Sequence, residues 1–347
     1  MTVDNPLENQ PYVTQYSKKM NNKIKCLVCR HGCILADGKM GICNTREVIN
    51  GELVSYNYGN VSSISLNPIE KKPLYHFHPG SYATTIGSWS CNFSCPWCQN
   101  YSLTKVGPKK YDEKHFLSPE NLVDIISQNS KSSGVSFSFN EPTLMVEYAI
   151  DVLKSLSKAN PKLYSGFVTN GYMSEEVLKD LINNGLSSMT VSLKGGKENM
   201  KMNCNANSDY VFENIALAFE KDIHLEIVIL VIPTISDSDE YFNKVSQKIV
   251  KNFSPDIPLH FNAYYPAHKF HLPRTDISVL EKARIIAMKN GLNYVYIGNI
   301  LGHQALNTYC PNCQEIVIAR SQSRFIDSKM NEKNECPKCS YKISIIN

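Results

Sequence analysis

The chain has 347 residues, of which 42% are hydrophobic and 20% are charged, and its formal net charge is +4. These values are typical of a globular protein with a sizeable core, and the length exceeds that of one average domain. The charge is mild and no basic run is long enough for a nucleic-acid footprint, so nucleic acid is not expected as a partner.

Cysteine is the residue with an unusual frequency, since the chain has twelve. Eleven of them lie in three tight groups, and Cys204 stands alone. Such clustering in a long chain indicates metal ligation in a reducing cytosol rather than a disulfide scaffold. Residues 1–22 show neither a signal core nor an Arg-rich transit pattern, and no apolar run could span a bilayer. We therefore expect a cytoplasmic protein without membrane contacts.

The first part of the chain is predicted to be a flexible tail over residues 1–22 and a Cys-rich metal module over residues 23–66. The module has four thiols spaced C-x2-C-x3-C-x9-C, in a segment with few apolar residues: Cys26, Cys29, Cys33 and Cys43. Four thiolates predict a closed site, for which zinc is the default and a second iron–sulfur cluster the alternative. A β-rich stretch, 53–66, would join this module to the main body.

An irregular loop over residues 67–80 precedes the main body, and we interpret its histidines, His76 and His78, as structural. A β-rich run then leads into three thiols spaced C-x3-C-x2-C: Cys91, Cys95 and Cys98. A structural zinc site has four protein ligands and a fully ligated four-iron cluster has four thiolates. Three cysteines therefore leave one metal position open for a substrate or cofactor.

Two other interpretations of this three-cysteine loop exist. A Cys3His zinc site could be completed by His76, His78 or His115, and the CxxC pair could be a redox dithiol. Trp97 favours the open cluster, because its flat ring beside the open position could stack on a planar ligand.

Strands and helices alternate over the following two hundred residues, which predicts βα units and a parallel sheet. The predicted strands are 82–86, 135–139, 163–168, 188–193, 225–232, 257–263 and 292–297. The predicted helices are 119–130, 144–156, 175–184, 208–221, 237–251 and 277–290. Six or seven units fall short of the eight in a closed barrel. The predicted fold class is therefore α/β, with an incomplete TIM-type (β/α)6 barrel over residues 67–305 and small Cys-rich metal-binding modules at both ends.

The C-terminal module, residues 306–347, has two CxxC pairs about twenty residues apart: Cys310, Cys313, Cys336 and Cys339. This spacing is typical of a zinc ribbon, so we predict zinc here, with a rubredoxin-like iron as the alternative.

Polar residues follow the predicted strands at the end where parallel barrels keep their chemistry. Besides the three-cysteine loop they are Glu141, Asn170, Lys194 and, near the sixth strand, His260. Each alone is explained by a turn, a hinge or a core histidine, but their shared placement favours a common functional site.

The C-x3-C-x2-C loop after the first barrel strand resembles the signature of the radical SAM superfamily. Within it, the chain is similar to the radical SAM component of the AmmeMemoRadiSam system, which is related to pyruvate formate-lyase activating enzymes. The similar stretches are 26–33, 68–77, 91–100, 140–142, 168–172, 231–233 and 294–299. The resemblance extends from Lys25 to the last CxxC pairs.

The resemblance implies a [4Fe–4S] cluster on Cys91, Cys95 and Cys98 that binds S-adenosylmethionine and generates a 5′-deoxyadenosyl radical. Three cofactor-binding roles follow by position. Glu141 would accept from the methionine amino group, Trp97 would lie against the adenine, and the carboxylate and ribose would be held by Asn170, Lys194 and His260. The family has aspartate where this chain has Ser192, which leaves the local hydrogen bonding open.

The leading hypothesis is thus a radical SAM enzyme with an unidentified substrate. A narrower version is an activase that places a glycyl radical on a partner protein, an oxidoreductase of the EC 1.97 type. The contrasting hypothesis is a non-enzymatic multi-zinc binding module. The resemblance implies a flavodoxin- or ferredoxin-type one-electron donor, and association with Memo-like and AMMECR-like proteins.

Overall fold

The computed structural model describes residues 11–108, 115–321 and 324–347. Two small antiparallel sheets form its N-terminal part, with strand orders β1-β6-β5 and β2-β3-β4. These strands are β1 (Tyr12–Val13), β2 (Ser17–Met20), β3 (Lys23–Cys26), β4 (Ile34–Ala36), β5 (Arg46–Ile49) and β6 (Glu52–Ser55). The predicted tail is wrong for its described part, because Tyr12 pairs with Ser55 and the 17–20 segment pairs with β3. Residues 1–10 of that prediction lie outside the described residues.

An eight-stranded sheet forms the main body, and seven neighbouring strands in it are parallel. They follow chain order as β8 (Tyr82–Gly87), β9 (Ser132–Phe137), β10 (Tyr164–Thr169), β11 (Ser188–Leu193), β12 (His224–Val231), β13 (Leu259–Ala263) and β14 (Val295–Gly298). The eighth strand, β7 (Ser63–Pro68), pairs antiparallel with β8 at one edge. The two edges do not pair with each other, so the predicted incomplete barrel is confirmed.

The edge strand β7 corrects the predicted domain boundary at residues 66 and 67. Residues 63–66 belong to the barrel sheet, since Ser63 pairs with Gly87 and Leu66 with Thr84. The hydrophobic alternation in this stretch is compatible with either module, and only the pairing partner decides between them.

Helices connect the parallel strands and cover the outside of the sheet. They are α1 (Tyr101–Thr104), α2 (Pro119–Gln128), α3 (Val146–Ala159), α4 (Glu175–Asn183), α5 (Lys197–Cys204), α6 (Ser208–Glu220), α7 (Asp239–Asn252) and α8 (Ile277–Lys289). The predicted caps Ser118 and Ser174 accept hydrogen bonds from the backbone N–H three residues later, which satisfies donors that a helix start leaves unpaired. The short helix α5 was not predicted, because its sequence lacks an apolar stripe.

The C-terminal segment forms a third small sheet from β15 (Thr308–Tyr309), β16 (Ile316–Ser321) and β17 (Arg324–Ser328). It packs against the irregular loop 67–80, where the buried His76 ring lies within hydrogen-bonding distance of Ser344 O and Tyr296 Oη. The prediction that His76 is structural is therefore confirmed. Within the described ranges, none of the helices combines the length and the apolar character that crossing a membrane requires.

Candidate active site

The three-cysteine loop lies at the carboxyl end of β8, where the open side of a parallel barrel carries its chemistry. Asn140, which follows β9, fixes the start of this loop. Its Oδ1 accepts from Ser88 N at 2.9 Å, and its Nδ2 donates to Trp89 O and Ser90 O at 3.2 and 3.1 Å. This positioning role was not predicted, because an Asn-Glu-Pro sequence by itself indicates only a turn.

The three thiols of the loop are free and differently exposed, with Cys95 buried and Cys91 and Cys98 half-buried. The Phe93 N–H donates to Cys91 Sγ at 3.4 Å, and Lys105 Nζ donates to Phe93 O at 2.9 Å. Burial raises the pKa of the Cys91 thiol, and the neighbouring Glu141 charge raises it further. Three free thiols on one backbone-braced loop fit an iron–sulfur cluster, which takes thiolate ligands.

Cys204, at the end of α5, is a fourth thiol at this site, although 109 residues separate it from Cys95. Its Sγ lies 2.9 Å from Cys95 Sγ, and its side chain is fully buried. A hydrogen bond from Cys204 lowers the pKa of Cys95 to about 7, and the Lys194 charge also lowers it. No local signal marks Cys204, because its spacing from other cysteines matches no ligand motif.

Glu141 is buried directly beneath the loop, and its carboxylate accepts four hydrogen bonds. Thr143 N and Thr143 Oγ1 donate to Oε1 at 3.2 and 2.6 Å, and Thr169 Oγ1 donates to the same oxygen at 2.6 Å. Asn170 N donates to Oε2 at 2.8 Å. Burial raises the pKa of Glu141 against the opposing effect of these donors. The carboxylate therefore ties β9 and β10 together, and its predicted contact with a cofactor amino group stays a prediction.

Asn170 joins β10 to the three-cysteine loop. Its Nδ2 donates to Asn92 Oδ1 at 2.8 Å and lies 3.8 Å from Cys91 Sγ, while its Oδ1 accepts from Tyr172 N at 3.0 Å. The structure thus brings Asn170 to the predicted site, in a role that positions the loop.

Lys194 follows β11 directly and is close enough to Cys95 for its charge to lower the pKa of that thiol. The Trp97 side chain is 2% exposed and meets Phe270 edge-on, with ring centroids 5.7 Å apart. Both residues therefore lie at or beside the loop, and their roles toward a cofactor stay predictions.

His260 does not lie at the carboxyl end of its strand, so the placement that suggested its role was wrong. It is the second residue of β13, and its Nε2 lies 2.6 Å from Glu226 Oε2. Its ring stacks on Tyr296 at 5.0 Å. Burial alone would raise the pKa of Glu226, but hydrogen bonds from His224 and His260 hold it below the usual range. His260 is therefore part of a buried network in the amino-terminal half of the barrel.

A cavity of about 230 Å³ is lined by residues of the strands β10 to β14 and of the 67–80 segment. Its polar lining includes Glu70, Lys71, Thr190, Ser192, His260 and Asn262. Thr190 and Ser192 share one face of β11 because strand side chains alternate, and Lys194 continues that face toward the three-cysteine loop. The cavity therefore has polar groups on one side, and Ser192, in place of the aspartate expected by resemblance, is one of the residues that line it.

The C-terminal cysteines converge on one point. Their four sulfur atoms all lie within 4.8 Å of one another, and among the residues that the structure describes no other set of three or more potential metal ligands does so. The Sγ atoms of Cys310 and Cys339 are 3.6 Å apart, as are those of Cys313 and Cys336. A single ion bound tetrahedrally at about 2.3 Å separates its thiolates by about 3.8 Å. These four residues could therefore hold one metal ion.

Residues 88–244 match the family model of the radical SAM superfamily. An uncharacterized protein of Methanocaldococcus jannaschii, MJ0808, is 34% identical over 334 residues, which are 95% of this chain and 98% of that protein. A second uncharacterized protein of that organism, MJ0674, is 24% identical over 78% of this chain and 76% of its own length.

Solved structures match the chain at lower identity. A domain of pyruvate-formate lyase-activating enzyme from Bacteroides vulgatus matches 48% of this chain and 99% of its own, with 20% identity and a TM-score of 0.41. Streptococcus suis SuiB bound to S-adenosylmethionine matches 67% of this chain, with 13% identity and a TM-score of 0.49, and this chain spans 53% of its length.

Proposed function

This chain belongs to the radical SAM superfamily, and we propose that it is an enzyme that cleaves S-adenosylmethionine reductively to methionine and a 5′-deoxyadenosyl radical. The observation that carries the proposal is the loop with three free cysteines at the carboxyl end of β8, next to Asn170 and Lys194. In this proposal Cys91, Cys95 and Cys98 hold a [4Fe–4S] cluster, which supplies one-electron reduction of the sulfonium when bound.

The residues of the chain have distinct tasks in this proposal. Glu141 and Asn140 fix the backbone around the loop through their hydrogen bonds, and Asn170 holds the Asn92 side chain. The Lys194 ammonium offers a positive charge beside the loop for a carboxylate. Trp97 and the buried strand ends exclude water, which a carbon radical requires.

The barrel cavity supports a small polar substrate or a polar segment of a larger one. Its lining combines a carboxylate, an ammonium group, hydroxyls and amides, which suit hydrogen bonding, with apolar groups of Val168 and Val228. Val168, Ser192 and Gly298 place part of the cavity near the carboxyl ends of β10, β11 and β14, the end of the sheet at which the loop lies. The substrate could equally be a residue of a partner protein, such as a Memo-like or AMMECR-like protein.

We propose zinc for the C-terminal group, supported by the sulfur–sulfur distances of 3.6 Å. A zinc ion there would crosslink β15 and the chain end, which together pack on the loop 67–80. Its role would be structural, because all four ligands come from the protein. We also expect a flavodoxin- or ferredoxin-type donor in the reducing cytoplasm.

The proposal is tested with protein reconstituted anaerobically with iron and sulfide, then reduced in the presence of labelled S-adenosylmethionine. We expect 5′-deoxyadenosine and methionine in equal amounts from the wild type and neither from Cys98→Ala. The control is Cys313→Ala, in which the three-cysteine loop is intact. Wild-type protein that binds zinc on the loop and forms no 5′-deoxyadenosine would contradict the proposal. Adding candidate partner proteins then separates glycyl radical formation, seen by EPR, from formation of a small product.

A further inference from the structure

The N-terminal cysteine group, Cys26, Cys29, Cys33 and Cys43, surrounds a cavity that no protein atom fills. All four line it, together with Val28, Leu35, Gly41, Ile42, Arg46 and Leu144. The cavity is narrow: its volume is about 10 Å³ on the measure that gives about 230 Å³ for the barrel cavity. Gly41 lies beside two of these thiols, since a β-carbon on it would be 3.8 Å from both Cys33 Sγ and Cys43 Sγ. Four thiols around one cavity define a metal site.

The spread of the thiols distinguishes this group from the C-terminal one. A single tetrahedral ion needs thiolates about 3.8 Å apart. The C-terminal sulfurs satisfy this condition, but among the described residues the N-terminal sulfurs form no group within 4.8 Å of one another. Thiolates that each bind a different iron of a cluster must stand farther apart. The geometry therefore favours an iron–sulfur cluster over zinc, the default predicted from spacing.

The group lies directly against the three-cysteine loop. Arg30 N donates to Tyr172 O and Ser174 N donates to Val28 O, both at 3.0 Å, so the N-terminal module is docked on the segment after β10. His31 Nε2 lies 2.9 Å from Asn92 O, in the loop itself. The four cysteines and the loop are thus parts of one packed unit.

Asn92 connects the two thiol sets. Its side chain is 3% exposed, and its Nδ2 has no hydrogen-bond partner among the described residues. The Asn92 side chain lies beside Cys29. A buried N–H donor without an oxygen acceptor is costly unless an acceptor is supplied. A cluster thiolate at Cys29 would supply it, and Asn92 is covalently next to Cys91.

We propose that the N-terminal group binds a second [4Fe–4S] cluster and that this cluster passes electrons to the three-cysteine loop. The electron part of this proposal rests on the proposed function. In each transfer the N-terminal cluster goes from the 1+ to the 2+ state while the loop cluster goes from 2+ to 1+, and a one-electron protein donor re-reduces the former. Ile42, which lines the cavity, is 52% exposed, so the N-terminal site is near the surface where a donor can reach it.

The experiment measures iron, sulfide and zinc in the full chain after anaerobic reconstitution. We expect about eight irons per wild-type chain and about four in each of two variants, Cys91→Ala/Cys95→Ala/Cys98→Ala and Cys29→Ala/Cys33→Ala, since each [4Fe–4S] site holds four. Zinc at the C-terminal group should stay at about one per chain throughout and reports that the variants fold. The N-terminal cluster would be ruled out if the variant without Cys91, Cys95 and Cys98, the loop variant, held no iron and the Cys29/Cys33 variant held one zinc fewer than the wild type. About two irons in the loop variant would overturn the four-iron assignment.

EPR of the dithionite-reduced protein tests the relay without using activity. We expect the wild-type spectrum to be broadened by magnetic interaction between two nearby clusters, and therefore to differ from the sum of the two variant spectra. A wild-type spectrum equal to that sum would overturn the relay. If the loop variant keeps iron but the wild type does not cleave S-adenosylmethionine, the proposed function fails and the N-terminal cluster stands.

Discussion

The ion pair between Arg46 and Glu147 anchors the N-terminal module to the barrel, and we predict that Glu147→Gln destabilises this anchor strongly. Arg46 lies on β5 and Glu147 on α3, with side chains 1% and 3% exposed. Arg46 Nη1 and Nη2 donate to Oε1 and Oε2 at 2.7 and 2.8 Å, and Thr14 Oγ1 donates to Oε1 as well. The pair is therefore bidentate and almost fully desolvated.

The expected loss follows from what the substitution leaves behind. Glutamine keeps the shape but cannot neutralise Arg46, which stays buried and charged. Removing one partner of a buried pair costs about 3–5 kcal/mol, and losing two charge-assisted hydrogen bonds at about 1.5–3 kcal/mol each gives a similar value. We expect a loss of about 3–5 kcal/mol in the free energy of unfolding of the N-terminal module.

The measurement is hydrogen exchange of residues 12–55, read peptide by peptide beside barrel peptides as an internal reference. The matched control is Arg46→Met/Glu147→Leu, which removes both charges. It should recover at least half of the free energy of unfolding that Glu147→Gln loses, because an apolar pair of similar volume needs no desolvation of ions. A change below about 1 kcal/mol for Glu147→Gln, or a double variant no more stable than the single one, would refute the reasoning.

Three further predictions concern pH, the fourth thiol and the buried carboxylate. Burial alone would raise the pKa of Glu147, but the Arg46 charge lowers it below 4.5. The ion pair should therefore stabilise the N-terminal module above that pH and lose its contribution as the pH falls through the lowered pKa. In acid, the hydrogen-exchange rates of residues 12–55 in the wild type should approach those in Glu147→Gln. Cys204→Ser should keep the iron on the three-cysteine loop. It should shift the reduction potential of the loop cluster in a redox titration, because the substitution alters a hydrogen bond to the Cys95 sulfur. Complete loss of the iron from the loop would instead show that Cys204 is a ligand. Glu141→Gln should leave one of four buried donors without an acceptor, costing about 1–3 kcal/mol, and should lower 5′-deoxyadenosine formation at unchanged zinc content; unchanged stability would show that the four hydrogen bonds are dispensable.

The sequence determined the βα alternation, the incomplete barrel and the three cysteine groups, because each is written locally. Hydrophobic period and helix caps mark the elements, and ligand spacing within a few residues marks the metal sites. Parallel topology then placed Glu141, Asn170 and Lys194 at one end of the sheet without any further information. The position of His260 was misjudged, because it lies inside its strand, as the second residue of β13, and not after the carboxyl end as Glu141, Asn170 and Lys194 do.

The tertiary structure alone decided which distant residues meet. Cys204 reaches Cys95 across 109 residues, and Arg46 reaches Glu147 across 101. It also placed the N-terminal cysteines around a cavity beside Asn92, while the C-terminal ones converge on a single point. Ligand spacing along the chain fixes which thiols can share a site. The distances between their sulfurs, which distinguish one ion from a cluster, depend on how the backbone around them is packed by the rest of the protein.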